Sequence, residues 1–452
     1  MIFPPFHIPK EIRRIAVRLR EAGKDTYVVG GALRDHFLGR SHGNDIDLAS
    51  SAEPGTIMGL FPRVVPTGIK HGTVTILAGP YQVEVTTLRK EEGYSDGRRP
   101  DRVEYVDDIV EDLGRRDFTM NAMAYEIISG RFYDPFQGRE DIRKRLIRCV
   151  GDPSLRFAED GLRPLRAVRF ASQLGFSIEA GTLAAIPAAK QVFEKVSPER
   201  MREEFLKILL SPSPSSGLRL LEDTGLLSIL LPELAPARGC LQKGLHKFDV
   251  LDHLYFSADA SPPEAALRLA ALFHDAGKPE AKAEGPDGTP TFHGHETISS
   301  RIAKAAMKRL RFPNDLIDEV GHLISQHMFN YDETWTDAAV RRLVSRVGRP
   351  ALPGLLALRR ADAAATLGTS PDPRSTESLE SRISEVLGRD SALGLKDLAV
   401  DGDDLAELGI ARGPAMGRIL KELLETVLDD PEQNTRDRLL DIAAKVRAKH
   451  GA

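Results

Sequence analysis

The sequence predicts an α+β protein, with a mixed β-sheet head at its N-terminal end and an all-helical remainder. Short runs rich in β-branched residues alternate with turns between residues 27 and 133, which is the pattern of strands. After Gly151, apolar residues recur at helical spacing almost to the end of the chain. A chain of 452 residues is long enough for two to four domains with ordinary cores.

The pattern along the chain divides it into four parts. We expect the head over residues 1–150, a helical neck over 151–238, a helical body with most of the histidines over 239–370, and a helical tail over 371–452. The glycine- and proline-rich residues 368–374 predict a linker before the tail.

Strands and helix starts can be placed within these parts. In the head, we expect strands at residues 27–29, 45–48, 73–77 and 82–87. In the neck, Ser197 followed by a proline predicts a helix start, because serine caps helices and proline fits the first turn.

The composition is typical of a soluble globular protein, with 41% hydrophobic and 28% charged residues. No apolar run approaches the roughly 20 residues that span a bilayer. The first residues lack the basic start and apolar run of a signal peptide. Two cysteines, Cys149 and Cys240, are too few for a disulfide framework and fit a reducing compartment. We therefore expect a cytoplasmic protein with no membrane partner.

Charge is unevenly distributed along the chain. The formal net charge is −4, yet residues 131–169 contain ten Arg and Lys against six Asp and Glu. Nucleic-acid binding depends on such local patches rather than on the total charge. A solvated helix face is an equally good explanation of this basic stretch.

A glycine pair stands between a predicted strand and a predicted helix, in the sequence VVGGALRD. Gly31 and its neighbour let the backbone approach a ligand closely, and a helix N-terminus offers N–H groups to phosphate. Arg34, one turn further on, could pair with a phosphate oxygen. A simple turn is the commoner meaning of such a pair when it stands alone.

Two aspartates, Asp45 and Asp47, lie one residue apart on the next predicted strand. Residues at that spacing share one face of a strand, so the two carboxylates project together. Like charges so close favour bound cations, and oxygen ligands suit Mg²⁺. Glu84, between Val83 and Val85 on another strand, is the best candidate for a third carboxylate. Solvated acids on exposed strands are the alternative.

A further pattern places charged residues three apart from Asp160 to Arg169, with a leucine and valine stripe between them. At that spacing Asp160 and Arg163 would be neighbours on a helix surface. Aspartate accepts hydrogen bonds and arginine donates them, so the pair could present a mixed pattern to a base edge. A surface ion pair is the alternative.

With these motifs the chain resembles the class II tRNA nucleotidyltransferases, the CCA-adding enzymes, whose head belongs to the DNA polymerase beta superfamily and is shared with bacterial poly(A) polymerases. The resemblance covers roughly residues 25–235. It is carried in order by GGALRD, DID, HGTVT, EVTTLR, GRRPDRV, RRDFTMNAMA, DPFQGREDI and AEDGLRPLRAVRFASQLGF.

The resemblance implies a role for each site residue. Asp45, Asp47 and Glu84 would hold Mg²⁺ and catalyse the transfer. Asp160 and Arg163 would serve as a protein template that reads CTP and ATP. The remaining nucleotide-binding residues would be Gly31, Arg34, Arg116 on the sugar–phosphate side, Arg166 and Arg169.

Two residues depart from the family pattern. Pro164 stands where many relatives have a helix former, and Gly161 stands where they often have proline. Because proline fits only the first turn of a helix, this helix should begin close to Asp160.

The loop over residues 90–102 is rich in glycine and charge. In the family a mobile loop here helps the site change from C to A, so a complete loop argues against C-only addition. It leaves A-only addition open. Poly(A) polymerases usually have a longer signature after the head and a basic tail, neither of which this sequence has.

The body contains a second set of motifs, HDAGK, GHE, QH and RAD, which resembles the HD phosphohydrolase superfamily. Imidazole and carboxylate together suit a divalent metal, whose bound water could hydrolyse a phosphoester. His295 is preferred to His293 because it lies in GHE. The resemblance implies four core ligands and two further ones for a second metal: His253, His274, Asp275 and Asp362, then His295 and His327.

The sequence thus predicts an enzyme that adds CMP and AMP from CTP and ATP to the 3′ end of tRNA. It would hold the acceptor arm and elbow with its helical parts, and the glycine-rich turn at residues 409–413 in the tail could hold RNA phosphate. The alternatives are A-only addition, poly(A) synthesis, an HD phosphohydrolase whose head merely holds RNA, and a non-catalytic RNA-binding protein. Paired metal carboxylates argue against the last.

Overall fold

A computed structural model gives the structure of the chain. It describes residues 6–40, 46–93, 102–242, 247–286, 288–332, 334–367, 374–389 and 393–450. The chain folds into two compact units, Met1–Pro232 and Glu233–Ala452. The finer division into head, neck, body and tail stays a prediction.

The strands lie mostly in the first unit. In chain order they are β1 (Thr26–Val29), β2 (Asp47–Ser50), β3 (Val64–Gly68), β4 (Thr73–Ala78), β5 (Tyr81–Thr87), β6 (Arg89–Glu92), β7 (Arg102–Tyr105), β8 (Ala124–Glu126), β9 (Phe132–Tyr133), β10 (Leu146–Ile147), β11 (Ser177–Ile178), β12 (Ala283–Glu284) and β13 (Pro290–Thr291).

Seven of these strands form a mixed sheet in the order β3-β4-β5-β2-β1-β8-β9. Strand β1 pairs antiparallel with β2 and β8, whereas β2 and β5 run parallel. All four residues of β1 are buried, so the sheet is covered on both faces at its centre. On β5, buried and exposed side chains alternate, as expected for a strand with one face toward the core.

Helices pack against this sheet and, with the strand pairs β6-β7 and β10-β11, form most of the rest of the first unit. In chain order they are α1 (Lys10–Glu21), α2 (Gly31–Phe37), α3 (Pro54–Leu60), α4 (Ile109–Gly114), α5 (Gly138–Arg143), α6 (Pro153–Glu159), α7 (Arg163–Leu174), α8 (Ala180–Ala185), α9 (Lys190–Phe193), α10 (Pro198–Leu209), α11 (Pro214–Asp223) and α12 (Leu227–Leu230).

Helix α7 begins later than expected, at Arg163 rather than close to Asp160. Pro164 is therefore in the first turn, where its missing N–H costs nothing. Gly161 lies just before the helix, and a Cβ there would be 2.4 Å from the Val192 carbonyl oxygen. The close approach of two backbone segments thus explains a glycine at this position.

The second unit is helical. Its helices are α13 (Val250–Ala260), α14 (Ala265–Phe273), α15 (Lys278–Ala281), α16 (His295–Arg309), α17 (Asn314–Gln326), α18 (Asp337–Val347), α19 (Leu352–Leu367), α20 (Arg374–Arg389), α21 (Gly402–Glu407), α22 (Pro414–Asp429) and α23 (Arg436–His450). Helix α14 packs against α13, α16, α17 and α19. A separate apolar core that includes Leu405, Leu423 and Leu439 holds the last three helices together.

The predicted fold class, a mixed sheet followed by a helical remainder, is confirmed. Three predicted strands lie within a residue of β1, β4 and β5, while the one at residues 45–48 begins partly outside the described residues. The remainder is not entirely helical, because it contains the short strands β11, β12 and β13. Among the described residues, no helix combines the length and apolar character needed to cross a membrane.

Candidate active site and candidate metal centre

A cleft of about 680 Å³ opens in the first unit between the sheet and helix α7. One wall carries the turn between β1 and α2, with Asp47 and Glu84 beside it. The opposite wall carries Asp160 and the arginines of α7. The cleft thus brings together nearly all residues predicted for the nucleotide site, although Asp45 lies outside the described residues.

Asp47 and Glu84 project from neighbouring strands into this cleft. Strands β2 and β5 are parallel with Leu48 opposite Val85, and each acid directly precedes one of that pair. The residues on either side of each acid are 0–2% exposed, namely Ile46, Leu48, Val83 and Val85. Because alternate residues face opposite sides of a strand, both carboxylates point away from the core toward the cleft. Carboxylate oxygens from two adjacent strands are a donor set that fits Mg²⁺.

The glycine turn lies beside these acids. Gly30 has φ +72°, a left-handed conformation that favours glycine. A Cβ on Gly30 would lie 3.5 Å from Nη1 of Arg116 and 3.8 Å from Oδ2 of Asp47. A carboxylate and a guanidinium therefore flank the turn, so groups that bind a cation and a phosphate lie side by side there.

Arg34 is already engaged by its neighbours. Its guanidinium donates to Asp35 over 2.9 Å and to Oδ1 of Asn121 over 3.0 Å. It also stacks 5.1 Å from the centroid of the Phe170 ring. These contacts fix the guanidinium at the edge of the cleft.

A buried acid, Asp112, holds Arg116 in position. Asp112, 1% exposed, accepts from Nη2 of Arg116 over 3.1 Å and from Arg115 over 2.7 Å. Burial alone raises the pKa of Asp112, but the two guanidinium groups outweigh it and lower that pKa. Asp112 is therefore an anion at neutral pH and can orient both arginines.

Asp160 and Arg163 are not neighbours on one helix surface, so that prediction is wrong. Asp160 has an extended backbone ahead of α7, and its carboxylate accepts from Arg200 over 2.8 Å. Arg163 is 8% exposed and donates to Glu159 over 2.6 Å and to the carbonyls of Arg156 and Arg115. The two side chains nevertheless line the same cleft.

Arg166 and Arg169 belong to a partly buried ionic network. Arg166 donates to Oδ2 of Asp117 over 2.9 and 2.5 Å, and Arg169 donates to Glu204 over 2.8 Å. Burial alone raises the pKa of Asp117, but Arg166 and Asn121 outweigh it and lower that pKa to about 2.

Sequence reasoning missed the acids and the arginine that position this wall. Asp117 follows the RRD arginines and could have been read from the motif. Glu204 and Arg200 belong to α10, and nothing local in the sequence connects that helix with α7. Only the packing of α10 against α7 brings them to the cleft.

The second unit contains a buried cluster of histidines and aspartates. Nε2 of His253 lies 3.2 Å from Nε2 of His274 and 3.3 Å from Oδ1 of Asp362. The potential ligand atoms of this trio all lie within 4.8 Å of one another. Such a spacing leaves room for one divalent cation between them.

Asp275 joins this trio to a second one. Its Oδ2 lies 3.4 Å from Nε2 of both His253 and His274. Its Oδ1 lies 3.1 Å from Nε2 of His295 and 3.8 Å from that of His327. The six residues predicted for the HD-type site are therefore brought together, with the Asp275 carboxylate between two ligand groups.

Backbone carbonyls orient three of the imidazoles. Nδ1 of His274, His295 and His327 lies 2.7–2.9 Å from the carbonyl of the residue three positions earlier. A carbonyl only accepts, so each Nδ1 donates and each Nε2 keeps its lone pair for a metal. Burial, reinforced by His274, lowers the pKa of His327 to about 4, which keeps that ring neutral.

A cavity of about 540 Å³ opens onto this cluster. Lys278, whose Nζ lies 2.6 Å from Oδ2 of Asp275, and Arg359, which donates to Asp362 over 3.3 Å, line it. His293 also lines the cavity but belongs to neither ligand group. Burial raises the pKa of Asp275, but His274 and Lys278 outweigh it and hold that pKa well below its usual value.

Comparison with protein families agrees with this architecture. Residues 26–148 match the poly A polymerase head domain. Residues 175–238 match the probable RNA and SrmB binding site of polymerase A, and residues 246–367 match the HD domain. The mixed-sheet head with its carboxylate and arginine cleft therefore defines a nucleotidyltransferase.

Relatives that match almost the whole chain show which family of nucleotidyltransferases it belongs to. The CCA-adding enzyme of Lactobacillus helveticus is 34% identical over 93% of both chains, and that of Geobacillus stearothermophilus is 35% identical over 96% of both. The crystal structure of the Bacillus stearothermophilus CCA-adding enzyme in complex with CTP matches with a TM-score of 0.74 and 31% identity, covering 98% of each chain. The chain belongs to the CCA-adding enzyme family.

Proposed function

We propose that this chain is a tRNA nucleotidyltransferase that adds C, C and A to the 3′ end of tRNA, using CTP and ATP. The observation that carries the proposal is the cleft, where strand carboxylates face a wall of arginines and Asp160. Membership of the CCA-adding family supports the choice of tRNA and of these two nucleotides. We propose the cytoplasm as its compartment.

The acidic wall would hold the metal. Asp47 and Glu84, joined by Asp45, offer the carboxylate oxygens that Mg²⁺ prefers. Mg²⁺ bound there would supply activation of the tRNA 3′-hydroxyl and neutralisation of the leaving pyrophosphate. The hydroxyl oxygen attacks the α-phosphorus, the bond to the β-phosphate bridging oxygen breaks, and the hydroxyl proton is released.

The basic wall would hold the triphosphate. Arg116 lies next to the glycine turn and Asp47, while Arg166 and Arg169 face the cleft from α7. Their acid partners keep them in place before the nucleotide arrives. Such preorganised charges stabilise the developing negative charge without reorganisation during the reaction.

Asp160 and Arg163 would select the base. In the part of the chain that the structure describes, one carboxylate oxygen of Asp160 accepts from the Leu162 N–H and the other accepts from Arg200, and each oxygen has a second lone pair for a further hydrogen bond. Among the described residues, three of the five N–H groups of Arg163 are engaged, which leaves two donors. Cytosine and adenine each present an amino donor beside a ring-nitrogen acceptor, which this pair can match.

Incorporation into tRNA tests the proposal. Labelled CTP, ATP, UTP and GTP are offered separately to tRNAs that end before the first C, after CC, or to a poly(A) primer. We expect C and A to be added in order, UTP and GTP to be refused, and Asp47→Ala to abolish incorporation. Addition of A alone, extension of the poly(A) primer, or labelling by all four nucleotides would contradict it.

A second activity is favoured by the HD-type cluster. We propose that His253, His274, Asp275 and Asp362, with His295 and His327, bind divalent metal and hydrolyse a phosphoester. Metal bound there would supply an activated water. Lys278 and Arg359 line the cavity above it and would attract a phosphate group.

Two single variants separate the activities. Asp275→Ala should abolish metal-dependent hydrolysis of p-nitrophenyl phosphate and leave CMP incorporation intact, while Asp47→Ala should do the reverse. If Asp47→Ala spared the physiological activity while Asp275→Ala abolished it, the HD-type site would be the main activity of the protein.

A further inference from the structure

The first unit has a second basic cavity, which shares no lining residue with the nucleotide cleft. It has a volume of about 780 Å³, and four arginines and two aromatic rings line it: Arg40, Arg139, Arg143, Arg145, Phe37 and Phe176. We call this cavity the arginine groove. Three of the arginines belong to the basic stretch over residues 131–169, of which the nucleotide cleft uses only the second half.

Positive charge dominates the groove. Its two acidic lining residues, Asp134 and Glu140, are both committed locally. Asp134 accepts from the Gly138 and Arg139 backbone N–H groups at the start of α5, and Glu140 pairs with Arg143 over 2.6 Å. Four arginines against two acids leave an excess of two positive charges.

Aromatic rings support two of these arginines. The guanidinium of Arg139 lies 5.7 Å from the centroid of the Phe37 ring, and that of Arg145 lies 5.8 Å from the centroid of the Phe176 ring. Stacking of this kind steadies a guanidinium, and guanidinium groups match the geometry of a phosphate.

The backbone is unusual at the same place. Among the described residues, only three that are not glycine have a positive φ, and two of them line the groove: Gln137 at 60° and Arg145 at 55°. A left-handed conformation costs free energy for such residues and tends to persist where ligands bind. At Arg145 it accompanies the stacking on Phe176.

The groove is separate from the nucleotide cleft but connected to it by two helices. On helix α2 the cleft is lined by Gly31 and Arg34 and the groove by Phe37, about 9 and 4.5 Å apart along the axis. On helix α7 the cleft is lined from Arg163 to Phe170 and the groove by Leu174, about 16 to 6 Å apart. A nucleic acid with its end in the cleft has further phosphates to place at such distances.

We propose that the arginine groove binds backbone phosphate of the tRNA substrate, as a contact separate from the nucleotide site. This inference rests on the proposed function, because tRNA is the polyanion which that function brings to the first unit. Recognition is through guanidinium and phosphate, so it is independent of base sequence.

Arg145→Gly tests the inference with little risk to folding, because glycine adopts the left-handed backbone more easily than arginine. Arg311→Gly is a matched control, since Arg311 is an arginine at φ 58° in the second unit. Binding of tRNA lacking its CCA end is measured by filter retention over a series of salt concentrations, together with KM for tRNA and for CTP.

Arg145→Gly should weaken tRNA binding roughly tenfold, as expected for a charged hydrogen bond. It should also lower the slope of log K against log salt by about 1. KM for tRNA should rise by the same factor, with KM for CTP unchanged. Arg145→Lys, which keeps the charge, should fall between wild type and Arg145→Gly, and Arg311→Gly should match wild type.

Wild-type affinity and salt slope in Arg145→Gly would overturn the inference and leave the groove to another partner, such as an acidic protein surface. A parallel rise in KM for CTP would also overturn it, because the groove would then belong to the nucleotide site. Failure of the proposed function is a different result: the wild-type enzyme would bind tRNA without adding CMP to it.

Discussion

Replacing Gly161 by alanine tests how tightly the segment before α7 holds Asp160, the residue that we propose selects the base. The new Cβ would be 2.4 Å from the carbonyl oxygen of Val192 and 2.7 Å from its carbonyl carbon. Ordinary contact begins near 3.4 Å, so 3.4 − 2.4 gives a required displacement of 1.0 Å. Both partners are backbone, so no side chain can rotate away, and Asp160 is the adjacent residue.

A displacement of about 1 Å in a positioning element can cost on the order of 100-fold in rate. We therefore expect Gly161→Ala to lower kcat/KM for CMP incorporation by about that factor. The overpacked contact should also cost about 1–3 kcal/mol of stability. Single-turnover incorporation and urea unfolding measure the two effects.

Gly59→Ala is the matched control, because Gly59 lies in the exposed part of α3 and a Cβ there meets nothing within 4 Å. That variant should be as active as wild type and more stable by about 0.4–1 kcal/mol. If Gly161→Ala retained a kcat/KM within threefold of wild type, the idea that this contact fixes Asp160 would be refuted.

Two further predictions concern buried acids. Arg166 and Asn121 lower the pKa of Asp117 from 3.8 to about 2, so its ionised form contributes about 2 kcal/mol to stability. A folded pKa below the unfolded value gives stability that is full above pH 4 and is lost as the pH falls toward 2. Asp117→Asn should therefore be less stable than wild type in urea unfolding at pH 7, with the gap closing between pH 4 and 2; a constant gap would contradict this. Asp275→Asn should remove most of the divalent metal retained after dialysis, as measured by elemental analysis, because its carboxylate lies within 3.4 Å of Nε2 of His253 in one candidate ligand group and of His295 in the other. Asp318→Asn, an exposed control, should retain it, and unchanged metal content in Asp275→Asn would exclude this site.

Local patterns in the sequence predicted the sheet and the acidic wall well. Alternating apolar residues placed Glu84 on the exposed face of its strand, and the structure agrees. The glycine turn beside Asp47 could also be predicted from the sequence, because it depends only on neighbouring residues. Both features are determined by residues that are close together in the chain.

The basic wall could be predicted only in part, because packing between distant segments decides it. The three-residue spacing suggested that Asp160 and Arg163 pair on one helix. Instead, the helix starts three residues later, and Asp160 pairs with Arg200, 40 positions away. Pro164 correctly predicted that it lies in the first turn of a helix. It did not determine at which residue that helix begins.

The sequence predicted which residues form the histidine cluster but not how they are arranged. Family motifs named all six residues, and the structure gathers them into two trios whose potential ligand atoms lie within 4.8 Å of one another. The shared position of the Asp275 carboxylate between two groups, and the approach of Lys278, follow from how α14 packs against α13, α16 and α17. No spacing in the sequence indicates either.

The ionic network behind the cleft limits how this protein can change over evolutionary time. Glu204 is 4% exposed and contacts both Arg166 and Arg169, so mutating the acid alone removes the carboxylate that balances the largely buried charge of Arg169, whose side chain is 11% exposed. A substitution of Glu204 must therefore be accompanied by substitution of the arginines that it contacts. In an alignment of homologues, Glu204 and its arginines should therefore vary together or not at all.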